Sequence, residues 1–114
     1  MINRTPHCLE IRPGLTVERD RLSVLCQQWQ IIKLELFGSV LRDDFRPTSD
    51  IDILATFHPT AQITFFDLDQ IESQLSPLLQ NRPIDLTTRR AIEQSHNPIR
   101  RAAILNHARL IYSL

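Results

Sequence analysis

No apolar run in this sequence approaches the roughly 20 residues that a membrane-spanning helix needs. Sulfur chemistry is scarce too. Cys8 and Cys26 are the only cysteines, and they have neither metal-ligand nor redox spacing. A reduced, cytoplasmic protein is the expectation, with Cys8 incidental and Cys26 in the core. His7, His58, His96 and His107 likewise lack the spacing of metal ligands. An excess of one charge is missing as well: 13 basic residues face 13 acidic ones, for a formal net charge of zero. No overall field then draws the chain to nucleic acid or to an anionic membrane, so neither is an expected partner. The opening residues Arg4, Pro6 and His7 lead into no apolar run, and no signal peptide is expected. Nothing repeats, and no segment is of low complexity.

What is present is ordinary globular material. A chain of 114 residues is expected to form one domain. At that size it buries a little under about 70% of its unfolded surface, enough for one core. Its hydrophobic content of 42% and charged content of 23% fit a folded, water-facing protein and exclude a disordered one.

The informative stretch runs from Leu34 to Phe57. Leu34, Leu36 and Phe37 are apolar and lead straight into Gly38-Ser39. Ten residues, Val40 to Ser49, separate Ser39 from Asp50, and Asp52 follows within the apolar run Ile51, Ile53, Leu54, Ala55, Phe57. This reads as strand Ile31 to Phe37, short helix Ser39 to Asp44, loop Phe45 to Ser49 and strand Asp50 to Phe57. Carboxylates in such a setting are costly unless a cation meets them. Residues two apart on a strand share a face, roughly 6.6 Å apart. Asp50 and Asp52 therefore make a claw suited to a hard cation such as Mg²⁺. Gly38 lets the backbone bend tightly and leaves room for a phosphate. Free amides at the start of a following helix favour anions. A phosphate cradle beside a carboxylate pair implies a nucleoside triphosphate with Mg²⁺.

Around that stretch, residues 1–14 read as an irregular lead with two prolines. Thr16 is a plausible N-cap, with Glu18 in the first turn of a helix. Its apolar stripe Leu22, Leu25, Cys26, Trp29 falls at helical spacing and reads as core. His58-Pro59 ends the second strand. Thr64 to Asp67 forms a capping box for a helix with apolar face Phe65, Leu68, Ile71, Leu75, Leu78 and Leu79, which Pro77 kinks or ends. Asn81 to Pro83 is a turn. Ile84 to Thr88 is a third strand, with Ile84 and Leu86 on one face and Asp85 and Thr87 on the other. Asn97-Pro98 starts another helix. Ala108 to Tyr112 fits either strand or helix. Asp67, Asp69 and Glu72 read as a solvated helix face. Arg89-Arg90 and Arg100-Arg101 read as surface charge, the rival being a patch that meets ATP, RNA or an acidic partner.

The pattern Gly38-Ser39-x10-Asp50-x-Asp52, with Val40-Leu41-Arg42 after the turn and Ser49 before the first aspartate, resembles the signature of the polymerase-beta-type nucleotidyltransferase superfamily. The short length resembles the minimal (MNT-domain) branch, whose members serve as antitoxins beside HEPN-domain toxins. The likeness spans about Gln30 to Thr88. Asp43 departs from it, standing where the family often has Gly. The resemblance implies an α/β (α+β) nucleotidyltransferase fold: a small mixed sheet of three to four strands flanked by helices, forming one minimal domain over residues 1–114. It implies that Gly38 and Ser39 hold the β- and γ-phosphates, that Asp50 and Asp52 bind Mg²⁺, and that Asp85 completes a site for two ions and activates the acceptor. Arg42 either steadies a phosphate or pairs with Asp43, Asp44 or Glu35; Ser49 either orients Asp50 or caps the loop. Asp85 could instead be a surface residue on an edge strand. The activity implied is transfer of AMP from ATP to a hydroxyl, a tyrosine of a partner HEPN toxin. About 25 residues follow the third strand, so the acceptor surface is expected from another molecule.

Two other readings stay open at this stage. A non-catalytic antitoxin would neutralise its partner by binding alone, and a carboxylate-dead variant would still protect. A nucleotidyltransferase acting on RNA or a small molecule would show itself in the mass of its products.

Overall fold

The structure, a computed structural model, describes residues 8–114. Two strands, β1 (Cys8–Arg12) and β2 (Leu15–Glu18), open it as an antiparallel hairpin. Helix α1 (Arg19–Gln28) leads to β3 (Ile31–Phe37), a 3-10 turn (Gly38–Leu41) and β4 (Ile51–Phe57). Helix α2 (Phe65–Leu75) runs into a second 3-10 turn (Ser76–Leu79) and then β5 (Ile84–Thr88). Two further helices, α3 (Arg89–Glu93) and α4 (Pro98–His107), precede β6 (Arg109–Ser113).

Four strands make one mixed sheet in the order β5-β4-β3-β6. β3 pairs antiparallel with both β4 and β6, whereas β4 and β5 run parallel. This is the mixed, helix-flanked sheet that the sequence implied. The parallel pair needs a crossover, and α2 provides it. One sheet face presents Leu34, Leu36, Ile51, Ile53 and Leu86 to Leu22, Leu25 and Cys26 of α1 and to Ile71 and Leu75 of α2. Each fully buried Leu or Ile there contributes on the order of 2 kcal/mol of transfer free energy, so this face dominates the stability. The other face is mostly open. It carries a small second cluster of Phe37, Leu54 and Ile92, with Ile104, Leu105 and Ala108 against it. Glu35, on the same strand face as Phe37, is the buried acid of the fold, and Arg89 Nη1 donates to its carboxylate at 2.7 Å.

Several expected elements stand where the sequence put them. Thr64 and Asp67 form a reciprocal capping box at the start of α2. That helix stops at Leu75, and Pro77 lies in the 3-10 turn beyond it. Asn97 caps α4 with Pro98 at its first turn. The segment left open, 108–112, is strand β6.

Four expectations are corrected. The part of the lead from Cys8 onward is not irregular but a strand, and Thr16 lies in β2 rather than capping a helix. The alternation Leu9, Ile11 and Leu15, Val17 around Pro13-Gly14 is the signal, with Gly14 at φ +81° closing the turn. The rest of the lead, Met1–His7, lies outside the described residues. The cap of α1 is Glu18, which makes no side-chain capping bond. The Ser39 to Asp44 helix is shorter than expected, a single 3-10 turn ending at Leu41, and β4 starts one residue after Asp50.

Candidate active site

The site grows out of the sheet register. In the parallel pair, Asp52 of β4 lies directly opposite Asp85 of β5. In the antiparallel pair, Asp52 lies opposite Phe37, the last residue of β3. Gly38 follows Phe37 with φ +76°, a left-handed conformation that side chains resist. A Cβ on Gly38 would overlap the Asp52 carboxylate oxygen Oδ2. The glycine is therefore required twice, once by the backbone angle and once by the carboxylate pressed against it.

Negative charge accumulates here. Burial pushes the Asp52 carboxyl up to about 6, and the nearby Asp85 and Asp50 carboxylates and a hydrogen bond with Asp85 push in the same direction. Arg42 pulls it down, and is the last of the causes. Asp52 is half-buried, while Asp50 and Asp85 are exposed. The register thus sets Asp52 directly opposite Asp85, with Asp50, the residue before β4, within electrostatic reach. Among the described residues no three His, Cys, Asp or Glu side chains are already gathered as a cage for a metal ion.

The donor set still fits a hard divalent cation. It consists of carboxylate oxygens, the ligand type that Mg²⁺ takes. Two of them share a proton's worth of repulsion that a cation would relieve. The missing Cβ at Gly38 gives the Asp52 carboxylate the room it occupies.

The turn after Gly38 is tied down by its neighbours. The Ser39 carbonyl accepts from the Arg42 amide at 2.9 Å. Arg42 Nε donates to Asp44 at 3.2 Å, so of its expected partners Asp44 is the one it finds. Both side chains are more than half exposed, and such a pair is worth at most about 1 kcal/mol. Arg42 is thus free to turn toward a phosphate at little cost. Ser49 caps its loop, its hydroxyl accepting from the Arg46 amide at 3.0 Å.

Two arginines that the sequence reading passed over hold the loop between the turn and Asp50. Arg12 Nη1 donates to the carbonyls of Val40 and Arg42, each at 3.0 Å. Arg82 Nη2 donates to the carbonyls of Arg46 and Ser49, the latter at 3.1 Å. Both guanidiniums lie over the Phe45 ring, at 4.8 and 4.3 Å from its centroid. The loop is clamped from the β1 side and from the β5 side at once. The Ile51 amide donates to Pro83 at 2.9 Å and fixes where β4 begins. No spacing rule announces these contacts, because each arginine lies far in sequence from the loop it holds.

Residues 19–111 match the model of the nucleotidyltransferase domain family. The chain belongs to that family. This nucleotidyltransferase is 34% identical over 80 residues to each of two proteins of Methanocaldococcus jannaschii that carry the name "Putative protein adenylyltransferase". The match takes in 70% of this chain and 76% of each relative. Among solved structures, the nucleotidyltransferase is similar to one described as "Structure of putative minimal nucleotidyltransferase", with 28% identity, a TM-score of 0.56, and coverage of 81% of this chain and 87% of that one. It also shares its fold with a chain of a toxin–antitoxin crystal structure with AMP-PNP, at 15% identity and a TM-score of 0.61, over 83% of this chain and 73% of that one. The nucleotidyltransferase is thus an enzyme whose chemistry is transfer of a nucleotidyl group. No helix among its described residues is long and apolar enough to cross a membrane.

Proposed function

We propose that this nucleotidyltransferase moves AMP from ATP to a hydroxyl of a partner protein, a tyrosine of a HEPN-domain toxin, and so serves as an antitoxin in the cytoplasm. Residues 1–114 act in this reading as one minimal domain, with the acceptor presented by the partner. The observation that carries it is the meeting of three features at one point: Asp52, Asp85 across the register, and the Cβ-free Gly38. The names of the two archaeal relatives support protein as the acceptor and adenylyl as the group. The fold likeness to a toxin–antitoxin chain supports the biological setting.

Nucleotidyl transfer is mostly positioning and electrostatics. Gly38 and Ser39 hold the β- and γ-phosphates through backbone amides, and Arg42 steadies them. Asp50, Asp52 and Asp85 hold two Mg²⁺ ions. Bound magnesium supplies charge neutralisation for the attacking and leaving oxygens. Asp52, half-buried between neighbours, is the fixed ligand. Asp85 is exposed on an edge strand, where an incoming hydroxyl can reach its carboxylate and surrender a proton. The hydroxyl oxygen then attacks the α-phosphorus and pyrophosphate leaves.

The test is incubation with α-labelled ATP, Mg²⁺ and the product of the neighbouring gene. Label on the partner that vanishes with Asp52→Asn is the expected result. An unlabelled partner, with wild type and variant alike, overturns the reading.

A further inference from the structure

Ile51, Ile53 and Ala55 of β4 point into the main core, so Asp52, Leu54 and Thr56 share the other sheet face. Thr56 is four residues on from Asp52, roughly 13 Å along the strand. At that far end lies a cleft of about 540 Å³, lined by Lys33, Thr56, His58, Ile63, Arg90 and Glu93 among others. Its charges are unequally engaged. Arg89, also on the wall, donates to Glu35 at 2.7 Å and to Glu93 at 3.2 Å, which occupies the acid of the cleft as well. Lys33 is half-buried and pairs with Thr56 in the register, while Arg90 is exposed. Among the described residues no hydrogen bond or ion pair engages the head of either side chain. His58 Nδ1 accepts from the Thr60 amide at 3.2 Å, which leaves the ring proton on Nε2 as a further donor. Three donors without acceptors thus gather in a chain whose formal net charge is zero. A half-buried cation without an acid favours the arrival of an anion.

Apolar surface adjoins these donors. Ile63 stands two residues before Phe65, a backbone separation of at most about 7 Å. Phe65 and Phe66 are 89% and 78% exposed on the first turn of α2. The Thr64–Asp67 capping box fixes that turn, so the rings sit on a firm support. Exposed aromatic rings beside unpaired cations are the composition of a protein-recognition surface. We propose that this cleft, with Phe65 and Phe66 beside it, docks a segment of the acceptor protein that carries carboxylates next to apolar side chains. Lys33, His58 and Arg90 meet the carboxylates, and the two rings meet the apolar groups. The inference rests on the transfer reading above and adds where, and by what chemistry, the acceptor is held. Asp85 shares the face of Asp52 through the register, so a docked acceptor is tethered on the side where transfer takes place. Tethering raises the local concentration of its hydroxyl without touching the nucleotide.

The test uses the full chain and the product of the neighbouring gene. Calorimetry measures the affinity of that partner, and separately of ATP with Mg²⁺, for wild type, Arg90→Glu, Lys33→Gln and Phe66→Ser. Label transfer at varied partner concentration gives KM and kcat. Arg90→Glu is expected to weaken partner binding and raise the partner's KM about tenfold, with Lys33→Gln and Phe66→Ser moving the same way. ATP affinity and kcat should not change. Raising ionic strength from about 0.05 to about 0.5 M should weaken partner binding by wild type far more than by Arg90→Glu. The Arg90 guanidinium has no partner among the described residues, so the melting temperature of Arg90→Glu should match wild type and unfolding cannot explain its loss. Unchanged partner binding by Arg90→Glu and Phe66→Ser overturns the docking site and leaves the transfer reading standing. A parallel loss of ATP affinity also overturns it, because the cleft would then hold nucleotide. So does a single-stranded RNA that binds wild type as tightly as the partner and is lost on Arg90→Glu. A partner that shows the expected binding pattern but is never labelled sustains the docking site and sinks the transfer reading alone.

Discussion

Asp52 and Asp85 face each other across a parallel register, and the Asp85 carboxylate helps to hold the Asp52 carboxyl above its ordinary value. Like charges held that way repel in the absence of a cation. Asp52→Asn and Asp85→Asn should each lower transfer on the order of 10³-fold, the several kcal/mol that metal-assisted charge stabilisation supplies. Without metal, the same variants should melt at or above the wild-type temperature, because a repulsion has been removed. A label-transfer assay paired with thermal melts in chelator checks both halves. A variant that loses activity and also loses stability would mean that the carboxylates hold the fold together.

The pH dependence of stability follows from the same pair. Asp52 titrates near 6 in the fold against an ordinary 3.8. Between those values the folded chain holds more protons than the unfolded one, so stability falls as pH rises through that window. The contribution is fully present below about pH 4 and gone above about pH 6. Mg²⁺ competes with the proton, so it should raise the melting temperature more at pH 7.5 than at pH 4.5. Subtracting the pH profile of Asp52→Asn from that of wild type isolates this term. A flat difference would show that Asp52 does not titrate there.

Gly38→Ala should cost about 1–2 kcal/mol from the left-handed backbone, and more if the Asp52 carboxylate cannot move aside. Gly14→Ala is the matched control, since Gly14 has φ +81° but nothing within 4 Å of its would-be Cβ. Both should destabilise, yet only Gly38→Ala should weaken ATP binding, by at least about tenfold. Denaturant melts and calorimetry on the two variants distinguish backbone strain from damage to the site.

Arg12→Ala and Arg82→Ala each remove charged hydrogen bonds to the loop carbonyls and one side of the Phe45 sandwich. Each should cost about 1–2 kcal/mol and lower kcat more than ATP affinity. Because the two share Phe45, the double variant should lose less than the sum of the single losses. Strict additivity would mean that the loop is held at two independent points.

Much of this was legible beforehand. Strands Ile31–Phe37 and Ile84–Thr88, the Thr64 capping box and the Asn97-Pro98 helix start were readable, because each rests on contacts within a few residues. Gly38, Asp50, Asp52 and Asp85 stood out as polar or flexible residues in apolar runs, where something must compensate for them. The Cys8–Glu18 hairpin escaped because its alternation is short and a proline-rich lead masks it. Arg12 and Arg82 escaped for a different reason: surface arginines look alike in sequence until the fold shows which carbonyls they meet. The short helix α3 was read as bare surface charge, although Arg89 in fact serves the buried Glu35.

The strand order carries a consequence for how the protein is made. β3, β4 and β5 emerge from the ribosome before β6, so Asp52 and Asp85 can align while one flank of β3 still lacks its neighbour. Until Arg109–Ser113 arrives, that flank offers unpaired amides and carbonyls to any extended peptide nearby. A nascent chain is thus able to assemble its chemistry early while remaining adhesive, and a chain cut short before β6 should precipitate rather than merely lose activity.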